Sequence, residues 1–335
     1  MKREQGFSLA EVLVSTTITL LLVAATLSSL RDALGLNEKT NLMSDLGQNL
    51  RAGINFMVQD LIQAGWLIPT GGIPIPSGAG ATDVKRPSPP GKDYTFSPAV
   101  TISAINPGAG LGPDGEGRAT DMVNILYADN TLPLNQKPLD AIGTNGSTMT
   151  VNASIPITGI PNAIAPGDLI AFHNGLGSTM QYVTGVNGQV VHFDPGDPLN
   201  LNQPGAAQGS ITQLQTDGVF PPTTATRVWM VTYYLDFTTD PQMPRLVRRI
   251  NNRPGQVVGL VLEDLQLSYD LVDGVTNPTN VKTPSAPNSP NQIRKVNIFI
   301  SGRSSAKIRN INDYLRHSLT TQVSLRSLAF VNRYS

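Results

Sequence analysis

Residues 1–30 read MKREQGFSLAEVLVSTTITLLLVAATLSSL, and the chemistry of the chain changes after Gly6. Residues 7–30 hold fifteen apolar side chains, eight Ser or Thr and one charge, Glu11. As an α-helix rising ~1.5 Å per residue, this run is about 36 Å long, enough for a hydrocarbon core of roughly 30 Å. It reads as a membrane-spanning helix. Lys2 and Arg3 precede it, so the positive-inside tendency holds the amino terminus in the cytoplasm and carries the chain beyond Leu30 across the membrane. An ordinary secretory signal has an apolar core of roughly 7 to 15 residues followed by a small-x-small cleavage site. Here the run is longer, and the unusual junction, Gly6-Phe7, lies before it.

A carboxylate at midspan costs roughly 2.5 to 3.5 kcal/mol on insertion scales, so Glu11 calls for a cation. Cutting the chain after Gly6 would give Phe7 a free amine one helical turn from Glu11, with the carboxylate also within reach of a neighbouring chain. The start of a helix favours negative charge as well. On these grounds alone, an uncleaved signal anchor with Glu11 near the membrane interface stays open.

The string Gly6-Phe7-Ser8-Leu9-Ala10-Glu11-Val12-Leu13-Val14 resembles the prepilin-type (class III) signal of type IV pilins and type II secretion pseudopilins. A short basic leader, a Gly/Phe junction, a glutamate at the fifth mature position and an uninterrupted apolar stretch occur together. The resemblance implies cleavage between Gly6 and Phe7 by a prepilin peptidase, N-methylation of Phe7, and Glu11 as the assembly residue. Ser28 departs from major pilins, which often carry a helix-kinking proline there.

Past Arg31 the helical pattern changes character. Leu42, Leu46, Leu50, Ile54, Val58 and Ile62 recur every four residues, joined by Met43, Met57 and Leu61, while Asn41, Asp45, Gln48, Arg51, Asn55, Gln59 and Asp60 fall opposite. Gly65 is the expected end of the helix, because the run Pro69, Gly71, Gly72, Pro74, Pro76 cannot continue it. The organisation expected is a leader over 1–6, a transmembrane or filament-core helix over 7–30, its amphipathic continuation over 31–66, and an extracytoplasmic β-rich domain over 67–335. Residues 67–98, rich in Gly, Pro and Ser, read as a poorly ordered loop leading away from the helix. Strand-like runs come next at 99–105, 122–127, 148–151, 169–173, 180–186 and 190–193. The clearest strand is 228–237, where Trp229, Val231, Tyr233, Leu235 and Phe237 alternate onto one face, with 246–250 able to pair back across Asp240-Pro241. Apolar parity shifts between Leu262 and Leu265, which predicts a bulge or break near Glu263. Val296, Ile298 and Ile300 share one strand face, Val323 and Leu325 another, and 274–291 reads as a mobile loop.

Residues 227–235, Leu246-Val247-Arg248-Arg249, 258–269 and Val323-Ser324-Leu325-Arg326 are similar to the pattern of PilW-type minor pilins, which J-type minor pseudopilins partly share. That likeness implies an α+β fold, a long amino-terminal helix packed on an antiparallel sheet with long loops.

Composition narrows the function classes. Twenty-four Lys plus Arg balance twenty-four Asp plus Glu, so no net field draws the chain to nucleic acid. The 31 glycines and 26 prolines, about 17% of the chain against an average near 12%, point to many turns. The absence of cysteine removes disulfides, thiolate metal sites and thiol nucleophiles. His173, His192 and His317 show no metal or catalytic spacing, and Gly108-Ala109-Gly110-Leu111-Gly112 completes no phosphate loop. Asp114, Glu116 and Asp121, and Asp194 and Asp197 with Asn200 and Asn202, are hard oxygen donors without an EF-hand pattern, and read as solvated. Asn145-Gly146-Ser147 fits a glycosylation sequon that carries little weight in a bacterial-looking chain. Arg303, Lys307, Arg309, Arg316 and Arg326 also read as solvated, ahead of a DNA or partner patch. No catalytic residue, cofactor or metal is expected.

The expected function is that of a minor pilin of the type IV pilus machinery, PilW-like, priming or capping assembly at the tip. Its partners would be other major and minor pilins, the prepilin peptidase and the inner membrane, with the domain periplasmic before the chain enters a filament. The alternatives are a J-type minor pseudopilin of a type II secretion system and a signal-anchored periplasmic binding protein or enzyme.

Overall fold

A computed structural model describes residues 8–115, 117–308 and 312–329. Helix α1 (Leu9–Gln63) is a single element of 55 residues. Contacts divide the chain into two compact units, residues 1–48 with 303–317 and residues 49–302 with 318–335.

In the second unit the buried helix positions are Leu50, Gly53, Ile54, Met57, Asp60 and Leu61, and Ala64 just past the helix end is buried as well. This stripe differs from the every-fourth-residue series in the sequence. At about 100° per residue, Ile62 lies about 140° around the helix from Met57 and is 43% exposed, whereas Asp60 lies only about 60° away and is 4% exposed. A spacing of four drifts around the helix, and the buried face follows 3.6. Asp60, placed on the polar face by its charge, is thus interior. The helix ends as expected: Gly65 takes φ +80 and donates its N–H to Leu126 O at 2.8 Å.

The main sheet has seven strands: β1 (Ile105–Gly108), β2 (Met122–Ala128), β3 (Leu169–Asn174), β4 (Gly177–Tyr182), β5 (Thr224–Asp236), β6 (Arg245–Ile250) and β7 (Gln256–Leu260). All its pairings are antiparallel. Central β5 pairs along one side with β3 and β6 in succession and along the other with β2, so the hairpin across Asp240-Pro241 is present. Both faces of β5 are buried. Tyr233 bonds the helix residue Asp60, while Val228 and Met230 on the other face join a core with Ile68, Ile73, Ile75, Val84 and Phe96. The 67–98 segment is therefore a packed layer: its turns are polar, but isoleucines between them have a sheet face to bury, and N–H groups such as those of Ile75, Lys85 and Phe96 reach carbonyl partners. A third core surrounds the edge-to-face pair Phe172 and Phe193, whose centroids lie 5.5 Å apart, beneath the four-stranded sheet of Ala141–Ile142, Thr148–Thr150, Gly185–Asn187 and Val190–His192.

The chain then forms a three-stranded sheet, β8 (Leu262–Leu271), β9 (Ile293–Ile308) and β10 (Asp313–Ser324), in the order β8-β9-β10. The parity shift has two causes. Val261 adopts φ +55, costly for a β-branched residue, and turns the chain from β7 into the new sheet; the β8–β9 register then slips between Leu262 and Asp264, at Glu263. Val296, Ile298 and Ile300 are buried together, and a Tyr269–Val281 bridge ties the 274–291 loop to β8.

Candidate functional site

The expected cleavage junction, Gly6 and Phe7, lies outside the described residues; the site begins at Ser8. Ser8 and Glu11 close a reciprocal cap on the helix start. Glu11 N–H donates to Ser8 Oγ at 3.2 Å, while Ser8 N–H and Oγ–H donate to Glu11 Oε2 at 2.9 and 3.1 Å. This is the S-x-x-E capping box, whose signature is Ser8-Leu9-Ala10-Glu11. It satisfies amide donors that the first turn would otherwise expose to lipid. Both bonds fall on Oε2, so the acceptor capacity of Oε1 stays available to a cation.

Beyond this cap the helix presents an apolar surface. Residues 8–34 are all exposed, Leu20, Leu21 and Leu22 among them. Polar groups along the run are satisfied locally: the hydroxyls of Ser15, Thr16, Thr17, Thr19 and Thr26 bond carbonyls three or four residues earlier at 2.7 to 3.2 Å. With Ser8 in the cap, six of the eight Ser and Thr of this run thus fit a helix in hydrocarbon. Among the described residues this is the one helix long and apolar enough to cross a membrane.

In the second unit, Asp60 fixes the helix to the sheet. It accepts Tyr127 Oη–H at 2.9 Å, Tyr233 Oη–H at 2.5 Å and the Arg248 fork, Nε at 2.7 Å and Nη2 at 2.9 Å. The hydrogen bonds to Asp60 raise the Arg248 guanidinium pKa; burial first, and the Asp60 charge second, raise both tyrosines. Nothing in the local sequence pairs residues 60 and 248.

Arg227 forms a second buried network. It donates to Asp129 Oδ2 through Nε at 2.8 Å and Nη2 at 2.5 Å, and through Nη1 to Asn162 O at 2.8 Å and Asp168 Oδ2 at 3.3 Å, while Arg253 also bonds Asp168. Trp229 lies against both guanidiniums, at 4.8 and 5.6 Å. Burial raises the Asp168 carboxyl, whereas Asp129 is held low against burial by the Thr131 N–H and Arg227. These groups clamp two loops onto β5.

The remaining candidates do not converge on a reactive centre. His173 Nδ1 is 2.8 Å from Ser178 Oγ, and burial lowers the imidazole pKa; His192 sits on the Val190–His192 strand and His317 on β10. Gly108 ends β1, and Gly110 takes φ +66 in a turn. Asp121 accepts the N–H groups of Gly110 and Leu267 together with Lys282 Nζ, and Asp197 accepts those of Leu199, Leu201 and Asn202. Their carboxylates organise loops. No group of three or more metal-binding side chains occurs among the described residues, and Glu116 and Arg309 lie outside them. In the first unit, Arg303 and Lys307 stack on Tyr314 at 4.3 and 5.5 Å, and Arg316 pairs with Asp313 at 3.6 Å.

Residues 1–27 match the family described as the prokaryotic N-terminal methylation motif. That match covers the basic leader, the Gly6-Phe7 junction, Glu11 and most of the apolar run, and supports a prepilin-type signal of the type IV pilin and pseudopilin kind. Such a motif implies processing by a prepilin peptidase and assembly with other pilins. No curated protein and no solved structure matches the chain.

Proposed function

We propose that this chain is a minor pilin of the type IV pilus machinery, PilW-like, which primes or caps assembly at the filament tip and has no catalytic activity or cofactor of its own. The observation that carries this reading is the methylation motif over 1–27, laid on a helix that starts with Glu11 in its first turn and exposes an apolar surface beyond it.

The mechanism is one of assembly. The peptidase cuts after Gly6 on the cytoplasmic side and methylates the new Phe7 amine. The chain then sits in the inner membrane by one span, amino terminus cytoplasmic and domain periplasmic. Leaving the bilayer costs the helix little, because lipid contacts are exchanged for those of other apolar helices. Glu11 selects the register: its carboxylate pairs with an amine on an adjacent subunit, and an unpaired charge in that core is costly. A 35.7 kDa loop-rich chain suits a low-copy tip position better than a repeating shaft subunit.

The test is intact-mass and amino-terminal peptide mass spectrometry on protein from its native membrane. Loss of residues 1–6 with one methyl group on Phe7 is expected; an intact or differently cut terminus overturns the reading in favour of a signal-anchored periplasmic binding protein or enzyme. Cross-linking in intact cells then decides the machine, since capture of type II secretion pseudopilins instead of pilus subunits would make the chain a J-type minor pseudopilin.

A further inference from the structure

The outer face of the β8-β9-β10 sheet is built unlike a solvated sheet surface. Its buried face carries Leu265, Leu267, Tyr269, Val296, Ile298 and Ile300. On the opposite face Gln266 lies across from half-buried Phe299, and Ser268 across from Asn297. Gln322 donates to Asn297 Oδ1 at 2.7 Å, which sets β10 beside this row and brings Thr320 next to Phe299. The result is a concavity of about 340 Å³ lined by one aromatic residue, Phe299, and by amide, hydroxyl and cationic side chains.

The polar groups are held in place before any ligand arrives. Asn297 Nδ2 donates to Asp270 Oδ1 at 2.9 Å and to Asn280 Oδ1 at 3.2 Å, and Ser268 Oγ donates to Asn280 Oδ1 at 3.3 Å. Gln266 Oε1 accepts from Arg118 Nη2 at 3.0 Å and Lys282 Nζ at 2.9 Å, while its Nε2 donates to Ala119 O at 3.0 Å and Asp264 Oδ1 at 2.8 Å. The two cations on the rim are offset by carboxylates, Lys282 by Asp121 at 3.1 Å and Arg118 by Asp264 at 3.7 Å. The amide N–H pair of Asn280, an ammonium N–H of Lys282 and the Thr320 hydroxyl keep hydrogen-bonding capacity toward the cavity they line.

We propose that this face is a binding site for a neutral, hydroxyl-rich oligosaccharide. A sugar ring has an apolar C–H face, which Phe299 can cover, and an equatorial belt of hydroxyls that both donate and accept, as amide and hydroxyl side chains do. Charge compensation on the rim removes the field that would select an anion, and prior ordering of the side chains lowers the entropy lost on binding. An apolar partner would leave the Asn280 amide N–H groups and the Lys282 ammonium unpaired in its interface. The site stands whether or not the helix enters a filament.

The test is isothermal titration of the full-length, detergent-solubilised protein with chitotetraose, maltotetraose and, as the acidic probe, tetragalacturonate. Saturable binding of a neutral probe is expected, weakened about tenfold or more by Phe299→Ala, the loss of one good aromatic contact. Thr320→Trp, which places bulk over the cavity from an exposed strand position, abolishes binding without touching the core, so the outcome does not depend on whether the Phe299 variant folds. Binding of neither neutral probe, binding of tetragalacturonate alone, or neutral binding unchanged in Thr320→Trp overturns the proposal. Each of these results is independent of the mass of the amino-terminal peptide.

Discussion

Arg248 on β6 meets Asp60 on α1 through two parallel hydrogen bonds of 2.7 and 2.9 Å, across 188 residues of sequence. Tyr127 and Tyr233 complete the set of donors, so a buried carboxylate is satisfied by three strands. Asp60→Asn should destabilise the domain by about 3 to 5 kcal/mol, because it strands a mostly buried guanidinium, whereas Tyr233→Phe should cost about 1.5 to 3 kcal/mol. Urea unfolding of the solubilised protein measures both; a change below about 1 kcal/mol for Asp60→Asn would show that the cluster does not hold helix to sheet.

The cap at the helix start predicts a division of labour. Ser8→Ala should loosen the first turn by about 1 kcal/mol and lower filament incorporation modestly, with Ser8→Thr restoring it. Glu11→Ala should still insert and be cleaved yet join filaments poorly. Immunoblots of sheared filaments against membrane fractions read both, and unaltered incorporation of Glu11→Ala would sink the charge pairing.

Processing depends on the junction itself. Gly6→Ala should leave the leader attached and the chain unmethylated, seen as an unprocessed intact mass. Normal cleavage would remove Gly6 and Phe7 from the assignment.

Acid should act through the β5–β6 turn. Burial pushes the Asp236 carboxyl up, but hydrogen bonds from Thr239 and Thr238 outweigh it and hold the group at about 2. A depressed folded-state pKa contributes stability above the unfolded value near 4 and loses it as pH falls toward about 2. Asp236→Asn should therefore flatten the fall in unfolding midpoint between about pH 4 and about pH 2. A slope identical to that of the parent protein would contradict the assignment.

Gly65 marks where the helix must stop. It has φ +80, and a Cβ there would sit 2.6 Å from Leu328 Cδ2. Gly65→Ala should cost about 1 to 3 kcal/mol, read in the same urea titration, whereas Gly47→Ala, with open space around it, should be neutral or stabilising.

The features legible along the chain are local ones. A membrane-length apolar run, the helix stop at Gly65, the β5–β6 hairpin and the slip at Glu263 depend on periods of 3.6 and 2 and on the backbone preferences of glycine and proline, which a few neighbouring residues express. Even the Ser8–Glu11 cap was legible, three residues apart. Which charges are interior, by contrast, is settled by tertiary packing alone. Asp60, Arg227 and Asp168 look like surface residues in sequence, and burying each becomes tolerable only when partners from distant strands satisfy its hydrogen bonds in a low-dielectric core. The same holds for the 67–98 segment and for the Phe299 platform. A loop becomes a layer, and a polar strand face a cavity, only when another part of the chain supplies the opposing wall.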